Sequence, residues 1–355
     1  MSSREPRRPS LRAEARHVAG SLVRFGPSPV RWPMATQASV AIAAPVITLA
    51  LIGRGDLALL SATGAFTLLY GGALTARERA AFLPLVAAGL LGSAALGVGA
   101  ATLGTAAVVL GLVATAVGAA AVCFGWSVGP PGPIFFALVY GLSAHLTTPV
   151  DGRSPVEPVT YLAVLAASSA FAYLVAVSAL ILPSRRALPP RPLREIFPGP
   201  RWDASARTLL VRAVVIAALG AGAALVVDPD RAYWIVSAGI AVLGVSASRR
   251  VTLTRGIHRA AGTLGGAAVY LLLSTLSLPV ALLGLVLGAL QFAIELVVVR
   301  HYALALCFIT PLVLLIIGSA GSGGAGLAVE RVVDTLVGSV VGVLAGLLVP
   351  RRSGA

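Results

Sequence analysis

The feature that most constrains this chain is its rhythm. Apolar runs follow one another from residue 35 to residue 349, separated by short polar turns. A helix needs about 20 predominantly apolar residues to cross the hydrocarbon core of a bilayer. Runs that meet or approach this length lie at 35–53, 57–75, 82–102, 104–125, 132–148 and 159–182. After one polar stretch, six more lie at 208–227, 232–248, 257–277, 279–299, 301–318 and 329–349. Hydrophobic residues make up 57% of the chain and charged residues 11%, whereas a soluble domain carries about 25% charged residues. That much apolar surface excludes a soluble enzyme, a disordered chain and a disulfide scaffold. The expected fold is an all-α membrane protein of about twelve transmembrane helices.

The net charge is +14, and every one of the 27 basic residues is Arg. A balance this basic raises nucleic acid as a partner. Here the arginines lie between apolar runs and no soluble basic domain carries them, so membrane lipids are expected and nucleic acid is not. Basic residues mark cytoplasmic loops. With the N-terminus inside, those loops hold the Arg-rich arm 1–34, Arg77 and Arg79, and the linker 183–207. They also hold Arg249, Arg250, Arg255, Arg259, Arg300 and the tail 351–355. Outer loops receive Arg54, Arg153 and Arg231, with Arg331 at the start of the last span. Both termini are therefore expected in the cytoplasm. The arm is too long and too broken by proline for a cleaved signal, and the prolines of the linker argue for an extended connector.

The segments 35–182 and 208–350 share a pattern. Ser61-Ala62-Thr63-Gly64, after Arg54 and Asp56, matches Ser237-Ala238-Gly239, after Asp228, Asp230 and Arg231. A basic turn follows each, and then a helix start rich in small residues, Gly89-Leu90-Leu91-Gly92 against Gly262-Thr263-Leu264-Gly265. Six spans per half make this a parallel repeat, related by an axis along the membrane normal. In transporters that arrangement sets the substrate route between the halves.

Ionisable groups inside spans are costly, and they face protein or water. In the last span Glu330, Asp334, Gly338, Gly342 and Gly346 share one i,i+4 row. The glycines admit a close helix neighbour. The two carboxylates suit proton coupling, or an ion pair that anchors the helix end. Glu295, in the tenth span, is the most deeply placed acid of the second half. It reads as a proton-coupling group or as a pair with Arg300 or an arginine of a neighbouring turn. Arg255, His258 and Arg259 run into Gly262-Thr263 and Gly266 at a helix start. There the dipole adds to the guanidiniums to make an anion site, unless the arginines are plain positive-inside anchors. The turn Gly129-Pro130-Pro131-Gly132-Pro133 lines a cavity or closes a tight turn. His145 reads as an interfacial histidine, and Trp32, Trp126, Trp202 and Trp234 as belt anchors. Cys123 and Cys307 lack the spacing of a metal or redox site. With no phosphate-binding lysine loop, no HExxH and no nucleophile elbow, neither an enzyme nor a cofactor is expected.

Arg249-Arg250-Val251 through Gly262-Thr263-Leu264-Gly265-Gly266 resembles the arginine-then-GTxxG signature of the fusaric acid resistance (FUSC) family. The helix Glu330-Arg331-Val332-Val333-Asp334-Thr335-Leu336-Val337-Gly338 is similar to that family's closing R-x-x-D-T-x-x-G segment. The glycine-proline turn before Ile134-Phe135-Phe136 resembles the first halves of actinobacterial members. The resemblance implies an aromatic-acid exporter in a bacterial plasma membrane, moving organic carboxylates with proton coupling. Arg255, His258, Arg259 and Thr263 would meet the anion, and Glu295, Asp334 and Glu330 would handle the proton. Gly262, Gly266, Gly338, Gly342 and Gly346 would pack helices. Larger members carry a cytoplasmic domain after each half, where this chain has only the short linker between its halves, and assembly as a homo-oligomer stays open. Plant relatives act as organic-anion channels, so an anion channel and a non-transporting membrane scaffold stand as alternatives.

Overall fold

The computed structural model describes residues 20–149, 153–318 and 324–349; the tail 351–355 and most of the arm lie outside them. All regular elements among these residues are helices, and each of the twelve apolar runs holds one. In the first half they are α1 (Trp32–Leu51), α2 (Gly55–Leu69), α3 (Ala76–Ala101), α4 (Thr105–Gly125), α5 (Ile134–Thr147) and α6 (Pro158–Ile181). In the second they are α7 (Ala204–Val227), α8 (Ala232–Leu243), α9 (Arg249–Ser274), α10 (Val280–Val297), α11 (Tyr302–Gly318) and α12 (Ala325–Leu348). Seven of them (α1, α3, α4, α6, α7, α10 and α12) are long and apolar enough to cross a membrane. The helix α9 has 26 residues, but its first turns carry Arg249, Arg250, Arg255 and Arg259.

The other four are short. The run expected at 57–75 is one α-helical turn followed by a 3-10 helix that stops at Leu69, because Gly71 turns the chain at φ +67°. The run at 232–248 stops after 12 residues, where Gly244 takes φ +59°. Conversely, α11 continues through Pro311. Every residue of α8 is buried, as are most of α2 and α5. A helix apolar all round belongs inside a bundle, and the longer helices surround these three.

A helix that ends among apolar neighbours leaves its last carbonyls without partners, and long polar side chains supply the donors. Arg79 Nη2 donates to Leu68 O at 2.8 Å, at the end of α2. Arg255 Nε and Nη2 donate to Ala241 O at 3.2 and 2.8 Å, near the end of α8. Gln37 on α1 donates to Val175 O and Ala176 O of α6. Arg212 on α7 is wholly buried and reaches Ala247 O (2.9 Å) and Val349 O (3.0 Å), beyond α8 and α12. A guanidinium at a helix C-terminus also meets the negative end of the dipole.

Within the halves α2 packs on α6 and α8 on α12, α3 on α5 and α9 on α11, and α3 on α6 and α9 on α12. Across the halves α1 lies along α10, α4 along α7, and α5 against α8. The linker is not an extended connector. It forms single turns at Pro183–Arg186 and Leu193–Ile196 that fold back on the first half. Phe197 meets Phe82, and Arg191 pairs with Glu78 at 2.8 Å. Glu78 also closes a capping box with Thr75 at the start of α3. Its carboxylate holds the Arg191 guanidinium above its ordinary pKa. Asp203 then caps α7, which starts inside the expected linker at Ala204.

Candidate functional site

Charged and polar side chains gather in three places. The first lies at the end of the bundle that carries the linker, between α1 and α10. Glu295 accepts from Arg31 Nη2 at 2.5 Å, while Arg31 Nε donates to the Glu295 backbone carbonyl at 2.8 Å. Gln291 Nε2 adds a contact to the same carboxylate at 3.3 Å. The partner of Glu295 is therefore an arginine of the N-terminal segment, distant in sequence, and not Arg300 or an arginine of a neighbouring turn. Gln37 and Arg79 extend the network, with Arg79 Nη1 donating to Gln37 Oε1 at 3.1 Å.

The second holds the expected anion-gathering residues on α9. Arg255 spends two donors on Ala241 O and lies 4.2 Å above the Tyr302 ring. Arg259 Nη1 donates to Tyr302 Oη at 2.9 Å, while its Nε has no hydrogen-bond partner among the described residues. His258 stacks on His301 and meets Ser21 Oγ at 2.8 Å. The chain from Ser21 to Gly26 lies over this end of the bundle. His301 Nε2 meets Leu22 O at 2.8 Å, and Gly26 N–H donates to Arg300 O at 2.8 Å. Thr263 is buried beside Gly262 and Gly266. A Cβ on Gly262 would strike Ala303 O, and one on Gly266 would stand 2.7 Å from Leu306 O. Those two glycines bring α9 against α11.

The third lies toward the opposite end, among α5, α8 and α12. Arg231 is ion-paired with Asp228 and Glu330, each at 3.2 Å. Asp334 is wholly buried. It faces Arg231 at 3.7 Å and Arg331 at 4.0 Å, within ion-pair range but beyond a hydrogen bond. Neither carboxylate oxygen of Asp334 has a hydrogen-bond partner among the described residues, nor do Arg331 Nε and Nη1, Trp234 Nε1 or Ser237 Oγ. The Arg331 guanidinium lies 3.4 Å above the Trp234 ring, Tyr233 packs beside it, and His145 of α5 stands 5.8 Å from Tyr233. Trp234 is thus a buried partner of Arg331 and not a belt anchor: its position at the start of α8, a helix inside the bundle, takes it away from lipid. Along the same face of α12, Gly338 meets Ile235 O, Gly342 meets Gly239 O and Gly346 meets Thr252.

Sequence reasoning brought Asp334 and Glu330 to one face and singled out the basic group of α9. It missed Arg31, Arg212, Gln37, His301 and the role of Trp234. One signal was available: Gln37 and Arg212 are polar residues early in the first helix of each half. Among the described residues no group of three His, Cys, Asp or Glu side chains is placed to hold a metal ion.

Residues 213–345, from α7 to α12, match the family model described as "Fusaric acid resistance protein-like". A relative from Bacillus subtilis (strain 168), described as "Uncharacterized membrane protein YvaC", is 38% identical over 125 residues. The match covers 34% of this chain and 20% of the relative, so the chain spans about a fifth of that protein's length. No solved structure matches.

Proposed function

We propose that this multi-pass membrane protein, whose second half matches the fusaric acid resistance protein-like model, moves small organic carboxylates out of a bacterial cell, coupled to protons. It does so across the plasma membrane, with twelve segments in two parallel six-helix repeats and both termini in the cytoplasm. The repeat reading is supported by the paired contacts and caps: α2 with α6 beside α8 with α12, and Arg79 on Leu68 O beside Arg255 on Ala241 O.

The observation that carries the transport reading is the buried pair Arg331 and Asp334 beside the contact of α5 with α8. An unpaired polar group in such a place costs about 1–3 kcal/mol, and more if charged. A passive scaffold gains nothing from keeping several. In this reading Arg259, with one N–H group unspent, and His258 receive the anion at the cytoplasmic mouth, and Arg255 holds the mouth in shape. Asp334 carries the coupling proton, with Glu330 on its outer approach. Glu295 takes part only when Arg31 lets go.

The test is uptake of labelled aromatic and aliphatic carboxylates by inverted membrane vesicles, with and without a protonophore. Uptake that collapses with the protonophore is the expected result. Equilibration indifferent to the protonophore would replace the carrier by an anion channel. No uptake of any carboxylate by folded protein would overturn the reading in favour of a scaffold.

A further inference from the structure

We propose that Arg331, over the Trp234 ring and facing α8, is the group that binds the carboxylate of a small monoanion, in competition with Asp334. The assignment rests on the transport reading above but moves the binding group from the arginines of α9 to the interior. Four observations carry it.

The first is that Arg331 is buried, at 6% exposure, with Nε and Nη1 unpartnered among the described residues. A guanidinium in that condition takes an oxyanion, because charge-assisted hydrogen bonds to carboxylate are roughly twice as strong as neutral ones. The second is the competition for it. Arg255 spends two donors on Ala241 O, and Arg259 gives one of its donors to Tyr302 Oη. Arg231 is taken by Asp228 and Glu330. Arg331 has Asp334 at 4.0 Å, the Trp234 ring beneath it and the Tyr233 hydroxyl beside it, and its Nε and Nη1 still have no hydrogen-bond partner among the described residues.

The third observation is that the unpartnered donors cluster. Trp234 Nε1 lies on the ring beneath the guanidinium, and Ser237 lies one turn further along the same face of α8. The fourth is the wall of rings formed by Tyr233, Trp234 and His145, with centroid spacings of 5.3 and 5.8 Å. Flat apolar surfaces beside a cation suit an anion that has a planar body. Asp334 and the incoming carboxylate then hold the same guanidinium by turns, so the ligand enters most readily when Asp334 is neutral.

The test uses the full chain in detergent with Trp32→Phe, Trp126→Phe and Trp202→Phe, which leaves Trp234 as the reporter beside Arg331. Benzoate is the probe and acetate its counterpart without a ring. Benzoate is expected to change Trp234 emission saturably and at lower concentration than acetate. Arg331→Gln should weaken benzoate at least tenfold. Asp334→Asn should tighten it at least threefold, an outcome that a merely structural ion pair does not give. If Arg331→Gln does not fold, Arg331→Lys and Asp334→Asn carry the test.

Benzoate affinity within twofold of the parent in Arg331→Gln, or in Arg331→Lys where it stands in, would overturn the assignment, and so would weaker binding in Asp334→Asn. If the parent transports benzoate while the arginine variant binds it unchanged, the site lies elsewhere and the transport reading stands. If the parent neither binds nor transports any carboxylate, both fall.

Discussion

The two halves of the molecule share a frame and differ in what they bury. In each, the second helix is short, interior and closed by an arginine of the third helix: Arg79 on Leu68 O, Arg255 on Ala241 O. In each, a polar residue of the first helix reaches carbonyls at the end of the sixth: Gln37 at Val175, Arg212 at Val349. Gly26 N–H meets Arg300 O as Arg201 N–H meets Gly125 O. The interiors then diverge. Between α2, α5 and α6 lie neutral hydroxyls, with Ser143 Oγ donating to Tyr161 Oη. Between α8 and α12 lie Arg331 and Asp334, buried, charged and short of hydrogen bonds. What is common to the halves builds the fold. What only one of them has is where chemistry is to be sought.

The largest effect is expected at the ion pair that joins the halves between α1 and α10. Arg31→Ala leaves the buried Glu295 carboxylate without its main counter-charge, at a cost of about 3 kcal/mol, the low end for a broken buried pair because Arg31 is partly exposed. Thermal unfolding in detergent should show the loss, and adding Glu295→Gln should restore most of it. Next come the caps. Arg79→Ala and Arg255→Ala should each cost about 2 kcal/mol, as expected when a charged donor leaves a buried carbonyl. A loss confined to one of the two would break the comparison.

Close helix contacts give a smaller effect. Gly64→Val would drive a side chain into Ser168 of α6, and Gly239→Val would set one 2.6 Å from Ile216 of α7. Overpacking of this kind costs about 1.5 kcal/mol, and the melting temperatures of both variants should fall together. The smallest effect concerns the start of the sixth helix. Glu157 caps α6 from solvent, and its carboxyl is held below the usual carboxylate range by the Thr160 side chain and the N–H groups of Thr160 and Val159. Its contribution is therefore full above that usual range and fades as the pH falls through the depressed value. The melting difference between parent and Glu157→Gln should be slight at neutral pH and vanish in acid. No matching term exists in α12, which begins at Gly324 without a side-chain cap.

Much of the helical frame was legible, because the length of an apolar run follows from the bilayer itself. The four short helices were harder to see. Hydropathy counts apolar residues whether they face lipid or protein, so 57–75 and 232–248 looked like full spans until Gly71 and Gly244 turned the chain. Asp334 and Glu330 could be placed on one face by helical spacing alone. The partner of Glu295 could not, because Arg31 lies 264 residues away and no local pattern links them. Arg255 read as an anion binder or a positive-inside anchor because its charge was visible, while its partner, a backbone carbonyl at the end of a buried helix, had no signature in the sequence.

The most direct test of the account compares benzoate uptake by inverted vesicles carrying Arg331→Gln with uptake by vesicles carrying Arg54→Gln, at equal amounts of folded protein. Arg54 pairs with Asp56 in the open, in the first half's loop corresponding to the Arg231 turn. The account predicts at least a tenfold loss for Arg331→Gln and uptake within twofold of the parent for Arg54→Gln. Parent-level uptake by Arg331→Gln, or equal losses in both, would contradict it.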